Sequence, residues 1–357
     1  MTRLTYVRMG TLSGIAPSLR DALADRLELV DVDVLPYARR IGLAPFRLGA
    51  MAASRLQSPR PLWTRTTLWA KGIQSGLAHD GHLSPPGPVL FVGTRFACIP
   101  DPGLRYWVYT DRVAYEGAQG DPRYTSPSSP GWMEREERFL RGAQRVYLTA
   151  PSSVPFLTDH YGIDPGSVDV VAAGPSTNLG PPEHRDVCRR ILFVGIEWDR
   201  KGGPDLVSAL AQVRESGHRD VELEIVGCDP PGDLGSGVVR SGRIPHAEMG
   251  PVFSRADVLV LPSYHEASPI VLIEALLKGI PVVATTVGNN AWIVGDGGLC
   301  VEPGRPDLLA EAIRQVVERH PDFRRRAIQR GAVMAPVFNW QTIAGRMAAD
   351  MLAAGDA

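Results

Sequence analysis

Residues Leu261–Thr285 read LPSYHEASPIVLIEALLKGIPVVAT, and this stretch decides the fold. It opens on the end of a short apolar run, Val258–Leu261, that suits a buried strand. A loop follows, then Pro269–Lys278 with helical character, then a second strand candidate, Pro281–Ala284. Ser268 suits the helix N-cap and Pro269 the first helical turn. Strand, loop, helix and strand in this order make a βαβ unit with parallel strands. Glu266 falls in the loop, and Glu274 stands eight positions later, more than one turn inside the helix. Its neighbours are Ile273, Ala275, Leu276 and Leu277, so its carboxylate is costly there without a partner. The helix start offers free N–H groups and a partial positive charge, which suit a phosphate. A carboxylate for hydroxyls, an anion site and a second carboxylate together suit a sugar carried on a nucleoside diphosphate.

The same alternation extends on both sides. Before it run strand Arg190–Val194, helix Gly203–Arg214, strand Val221–Val226 and helix Pro245–Ser254. A last helix candidate, Asn339–Ala353, lies beyond this core. In the first half, Leu4–Arg8, Leu29–Leu35, Val89–Val92, Tyr106–Tyr109, Val146–Thr149 and Val168–Val171 are short apolar runs bounded by Gly, Pro, Asp or Ser. An amphipathic segment, Ser18–Leu27, follows the first. Residues 180–186 break the pattern as a linker. The expectation is two doubly wound α/β halves, 1–183 and 184–337, with a C-terminal helix in 338–357 that crosses back to the first. Ligands of such sheets sit at the carboxyl ends of the strands, here in a cleft between the halves.

Composition excludes several classes. The 357 residues carry 38 basic and 39 acidic side chains, a net charge of -1, which removes the simple case for nucleic acid. No apolar stretch approaches the roughly 20 residues that cross a bilayer, and the start, MTRLTYVRMG, has no secretory signal. Cys98, Cys188, Cys228 and Cys300 form no CxxC pair, which argues for reduced thiols in the cytoplasm. Lysine occurs three times against 35 arginines, the composition of a GC-rich bacterial genome, so arginine richness alone says little.

The segment resembles the E-x7-E motif of the retaining glycosyltransferases of family 4 (glycosyltransferase group 1), which have the GT-B fold of two Rossmann-like domains. The Pro-Ser before the loop, Glu-Ala-Leu with a following Gly, Pro-Val-Val-Ala-Thr, the Gly-Leu-Cys-Val-Glu-Pro-Gly run and Asn339-Trp340 carry the likeness further. It implies that Glu266 holds hydroxyls of the donor sugar and Glu274 those of the ribose. The backbone at Ser268, Pro269 and Ile270 would border the diphosphate, and the base would pack near Gly227 and Ile244. His265 either faces the sugar or is solvated. In the run Phe193–Gly203, the Lys of a Lys-Gly pair neutralises the leaving diphosphate, which maps to Lys201. The family often has a second cation where this chain has Ile196, and Arg200 is the candidate substitute.

The first half is less explicit. Gly10-Thr-Leu-Ser-Gly14 follows the first strand without being a GxGxxG dinucleotide fingerprint. In the resembling family this loop touches donor diphosphate and acceptor, which marks Gly14 and Ser13. Asp111 stands where many members place a His, and reads as a catalytic orienter or as a cap. Thr94 and Arg95, at the end of another strand, are acceptor-site candidates. Residues 34–79 hold seven basic side chains, no acidic one, and Phe46, Trp63 and Trp69. Such a stretch docks on anionic lipid at the inner face of the membrane, holds an anionic acceptor, or is a solvated helical insert, the reading favoured here.

The resulting expectation is a retaining, front-face, metal-independent glycosyltransferase. Its donor is a nucleotide sugar and its acceptor a small molecule, glycan or lipid-linked hydroxyl. No cofactor beyond the donor is implied. Asp31 and Asp33 have DxD spacing but fall in a strand, so a structural role is expected. The alternatives are an epimerase or hydrolase on the same fold, or a non-catalytic nucleotide-sugar-binding protein.

Overall fold

A computed structural model of the chain describes residues 2–10, 14–40, 67–83, 87–95, 97, 103–117, 130–180 and 186–354. Ser13, Phe46, Trp63, Cys98, all the arginines of 41–66 and linker residues 181–185 lie outside them. The chain divides into two compact units, Met1–Ala173 with Trp340–Ala357, and Gly174–Asn339.

The first unit is built on a six-stranded sheet: β1 (Arg3–Arg8), β2 (Glu28–Asp33), β3 (Val89–Val92), β4 (Tyr106–Thr110), β5 (Arg145–Leu148) and β6 (Val168–Val170). All pairs are parallel, in the order β2-β1-β3-β4-β5-β6. β3 and β4 are buried at every position because both faces are covered by helices, which is why they read as unbroken apolar runs. The order reverses between β1 and β3, so Gly10 and Gly93–Arg95, just past the carboxyl ends of these strands, stand at the switch point.

Three sequence expectations are corrected in this unit. β2 stops at Asp33 instead of continuing to Leu35, which begins α2 (Leu35–Arg40). Asp33 Oδ1 accepts the N–H groups of Leu35 (3.0 Å) and Gly10 (3.2 Å), and so turns the chain out of the strand. α1 (Ile15–Ala24) starts three residues earlier than the amphipathic pattern placed it, on Gly14 in the left-handed region (φ 86°). Finally, 34–79 is no solvated insert throughout: α3 (Thr67–His79) buries Trp69, Ala70, Ile73 and Leu77 in the core. Trp69 is only 4% exposed, so it presents nothing to a membrane.

Asp31 and Asp33 both pair with Arg8 (2.8 and 3.1 Å), a structural use of the DxD spacing. The C-terminal helix, Trp340–Ala353, buries Ile343, Ala344, Met347, Ala348 and Met351 in this first unit. Its Asp350 accepts from Trp107 Nε1 (2.8 Å), Tyr147 Oη (2.5 Å) and Arg145 Nε (3.2 Å).

The second unit has β7 (Arg190–Val194), β8 (Glu222–Val226), β9 (Val238–Gly242), β10 (Val258–Leu261), β11 (Val282–Thr285) and β12 (Gly298–Val301). They are parallel, in the order β12-β11-β10-β7-β8-β9. This is the doubly wound Rossmann order, with its switch point between β7 and β10. The loops carrying Lys201 and Glu266 leave those two strands. The unit begins at Gly174, ten residues before the expected boundary. Ser176 and Thr177 bond to Glu274, and Gly250 leaves room for the Asn178 carbonyl, which a Cβ would meet at 2.9 Å. The helix expected over 245–254 is a 3-10 turn, His246–Glu248, followed by Met249–Arg255. No helix among the described residues is long and apolar enough to cross a membrane.

Candidate functional site

Glu266 leaves the carboxyl end of β10 on a loop tied down from several sides. Its Oε1 lies 2.5 Å from Lys201 Nζ, 2.7 Å from Ser263 Oγ and 3.5 Å from Arg200 Nη1. Burial pushes this carboxyl's pKa up, but the charges of Lys201 and Arg200 outweigh it and hold it below the ordinary value. Its Oε2 accepts no bond among the described residues and is not sealed from solvent.

The cations come from the β7 loop. Gly202 turns it at φ 73°, where a Cβ would lie 2.0 Å from the Pro262 carbonyl oxygen, so only glycine lets the loops of β7 and β10 meet. A helix, Gly203–Glu215, starts there. Lys201 is 13% exposed in its side chain, so the basic loop is not free in solvent. Arg200 is engaged at both sides of its fork, by Glu197 Oε2 (2.7 Å from Nε) and by the His265 carbonyl (2.5 Å from Nη1). His265 is 9% exposed, which corrects the solvated reading.

The end of β11 and the loop after it complete the support, and the sequence reading missed both. Thr285 Oγ1 donates to the Ser263 carbonyl (2.6 Å). Asn289 donates twice to the Ala267 carbonyl, from its main-chain N (3.2 Å) and its Nδ2 (2.8 Å). Gly288, at φ 55°, lies against Glu266, whose carbonyl oxygen a Cβ would meet at 2.3 Å. In a trans peptide the C=O and the following N–H point oppositely. Holding the Ala267 carbonyl on Asn289 therefore turns the Ser268 N–H to the other side, and Arg200 on the His265 carbonyl does the same for the Glu266 N–H. The N–H groups of Glu266, Ala267 and Ser268 bond to no described residue.

The following helix is Ile270–Leu277, with Pro269 extended at its N-cap (φ -74°, ψ 113°) and no side-chain cap. This corrects the expected Ser268 cap by one residue: the first turn closes on the Pro269 carbonyl, which accepts from Leu272 N (3.1 Å). Ser268 Oγ is buried without a hydrogen-bond partner. Inside the helix, Glu274 is 5% exposed. Its Oε1 accepts from Ser176 N (2.9 Å), Ser176 Oγ (2.8 Å) and Thr177 Oγ1 (3.2 Å). Burial raises its pKa, and these bonds only partly counter it. Oε2 again accepts nothing from the described residues and is not sealed off. Each of the two carboxylates is thus anchored through one oxygen and open at the other.

Beside this edge, the ends of β7, β8 and β9 enclose a cavity of about 590 Å³, lined among others by Ile196, Trp198, Gly227, Asp229 and Arg243. Gly227 holds φ 100°, with a would-be Cβ 2.8 Å from the Gly195 carbonyl oxygen. Ile244 is half-buried two residues past β9 and is not among the cavity's lining residues. In the first unit, Thr94, Arg95 and Asp111 line a separate cavity of about 50 Å³ with Arg112, Trp132 and Glu136. Arg95 is exposed and Thr94 is buried. Nearby Glu116 accepts from Ser152 and Ser153, and burial raises its pKa. Gly14 lies apart from this cavity's lining, at the N-cap of α1. No metal-binding group of His, Cys, Asp and Glu is found among the described residues.

Residues 188–319 match the family of glycosyl transferases group 1. Among curated proteins, the MMP alpha-(1->4)-mannosyltransferase of Mycolicibacterium hassiacum is 27% identical over 233 residues, 61% of this chain and 56% of that protein. The D-inositol 3-phosphate glycosyltransferase of Paenarthrobacter aurescens is 30% identical over 240 residues, 59% of this chain and 58% of that protein. The chain thus spans 56% and 58% of the length of these relatives. The sucrose-phosphate synthase structure from Thermosynechococcus elongatus superposes with a TM-score of 0.73 at 18% identity, covering 99% of this chain and 100% of that one. At that identity the likeness is one of fold, GT-B. The group 1 match takes in Lys201, Glu266 and Glu274, the residues that the second unit gathers at its switch point.

Proposed function

We propose that this chain is a retaining glycosyltransferase that moves a sugar from a nucleoside diphosphate to an acceptor hydroxyl without a metal ion. One observation carries the reading: two scaffolded carboxylates, each with one open oxygen, flank a row of unbonded N–H groups beside Lys201. The open Glu266 oxygen suits donor sugar hydroxyls, and the open Glu274 oxygen suits the ribose diol. The N–H groups of Glu266–Ser268 and the start of the Ile270–Leu277 helix suit the diphosphate. Both relatives are named as glycosyltransferases, which supports the reaction class.

In this reaction the bond from the anomeric carbon to the diphosphate oxygen breaks, and its electron pair leaves with the diphosphate. The acceptor oxygen bonds to the anomeric carbon on the same face, and its proton passes to the departing phosphate oxygen. Negative charge on that oxygen grows toward the transition state. An ammonium has three donors. Lys201 spends one on Glu266 and keeps two for the phosphate. In this proposal Arg200 assists by charge and by fixing the loop through the His265 carbonyl. Asp111 orients the acceptor in the first unit, with Thr94 and Arg95 as its neighbours in role, while Gly14 keeps a role toward the donor. The acceptor is a small-molecule, glycan or lipid-linked hydroxyl, reached from the cytoplasm.

Thermal shift against UDP-, GDP-, ADP- and dTDP-sugars, with and without EDTA, tests the proposal. Ligand binding raises the melting temperature by mass action. One donor series is expected to stabilise the protein equally in both conditions. A shift abolished by EDTA would contradict the metal-free claim, and no shift with any donor would contradict the transferase.

A further inference from the structure

We infer that the donor's base is guanine and that Arg243 and Asp229 select it. This deepens the donor reading above and rests on it. The cavity at the ends of β7, β8 and β9, about 590 Å³, is roomy enough for a bicyclic base with its ribose. Two glycines, Gly227 at φ 100° and Gly242 at φ 62°, form part of its lining and carry no side chain into it. The Gly227 N–H donates to the Gly242 carbonyl (2.7 Å), which joins the ends of β8 and β9 under the cavity. Ile196 and Trp198 line it beside Pro230 and Pro231, apolar groups fit for the faces of a flat ring.

Three charged residues line this slot, Asp199, Asp229 and Arg243, and the last two, of opposite sign, stand just past the ends of β8 and β9. Arg243 is exposed and makes no ion pair or hydrogen bond to a described residue. Asp229 is loosely held, 3.6 Å from Arg240 and 78% exposed in its side chain. Guanine is the base whose edges match both. Its O6 and N7 are adjacent acceptors that a guanidinium takes as a fork. Its N1–H and 2-amino group are adjacent donors that a carboxylate takes the same way. Adenine sets an amino group beside N7 and so opposes the guanidinium. Uracil has neither the adjacent acceptor pair nor the adjacent donor pair.

Calorimetric titration of the full chain with GDP, IDP, UDP and ADP tests this. GDP is expected to bind about tenfold or more tightly than UDP or ADP, as for one good bidentate contact. IDP keeps O6 and N7 but lacks the 2-amino group, and should fall between. Arg243→Ala should cut the GDP preference over UDP severalfold, leaving only the part that Asp229 supplies. Asp229→Ala should make GDP and IDP equal. UDP or ADP binding as tightly as GDP would overturn the guanine assignment. So would an undiminished GDP preference in Arg243→Ala. UDP binding as tight as that of GDP, and lost in Glu274→Ala, would leave the donor reading standing and overturn only the base. Failure of all four nucleotides to bind would overturn both.

Discussion

Lys201→Ala is expected to lower turnover by about 10²-fold or more, with a much smaller change in donor affinity. The removal of one charge that acts on developing negative charge in a water-poor site costs on that order. Lys201 is placed for this by its surroundings. Its stem packs on Gly195, where a Cβ would come within 2.9 Å of Lys201 Cγ, and its ammonium rests on Glu266. The donor carries its diphosphate before and after the reaction, but the leaving oxygen gains charge only as the bond breaks. The loss therefore falls on kcat more than on KM. The variant also leaves Glu266 with Arg200 as its remaining cation, so its pKa should rise toward the ordinary range and the acid limb of the rate profile should move to higher pH. Steady-state kinetics on a folded variant checks both effects, and near-normal kcat would sink the role given to Lys201.

Glu274→Gln is expected to weaken donor binding by about tenfold to 10²-fold, as for bonds from hydroxyls to a charged acceptor replaced by neutral ones. Its effect on stability has the opposite sign. Burial raises the folded pKa of Glu274 above the unfolded value. A carboxyl of this kind costs stability at neutral pH, and the cost disappears as pH falls through the folded pKa. The amide oxygen of the introduced glutamine can still accept from Ser176 and Thr177. The variant should therefore melt higher than the parent at pH 7, with the two converging well below the ordinary carboxyl pKa of 4.5. Melting curves across that range, beside donor titrations, check the pair of effects. A variant that melts lower at pH 7 and binds donor normally would show a structural carboxylate only.

These residues were legible in the sequence because the chemistry sits in short contiguous motifs. Glu266, the helix start and Glu274 lie within one βαβ unit, whose helix seats Glu274 among apolar neighbours and so demands a partner for it. That partner was not legible. Ser176 and Thr177 stand 98 and 97 positions away, in a stretch that reads as the tail of the first half. Asn289 was missed for a different reason: Gly288-Asn289-Asn290 reads as a turn, and nothing local says that its amide holds the Ala267 carbonyl. Two helix starts shifted by one to three residues where a glycine or proline backbone, rather than a side-chain cap, sets the first turn. This happened at Gly14 and at Pro269. In 34–79 the charge count drew the eye to the arginines, while the spacing of Trp69, Ala70, Ile73 and Leu77 already described one buried helix face.

The central claim is transfer with retention at the site formed by Glu266, Glu274 and Lys201. Proton NMR of the first product formed from the stabilising nucleotide sugar, with EDTA present and a simple alcohol as surrogate acceptor, tests it directly. The account predicts a glycoside with the donor's anomeric configuration, formed by the parent and greatly slowed in Lys201→Ala. A product of inverted configuration would contradict it.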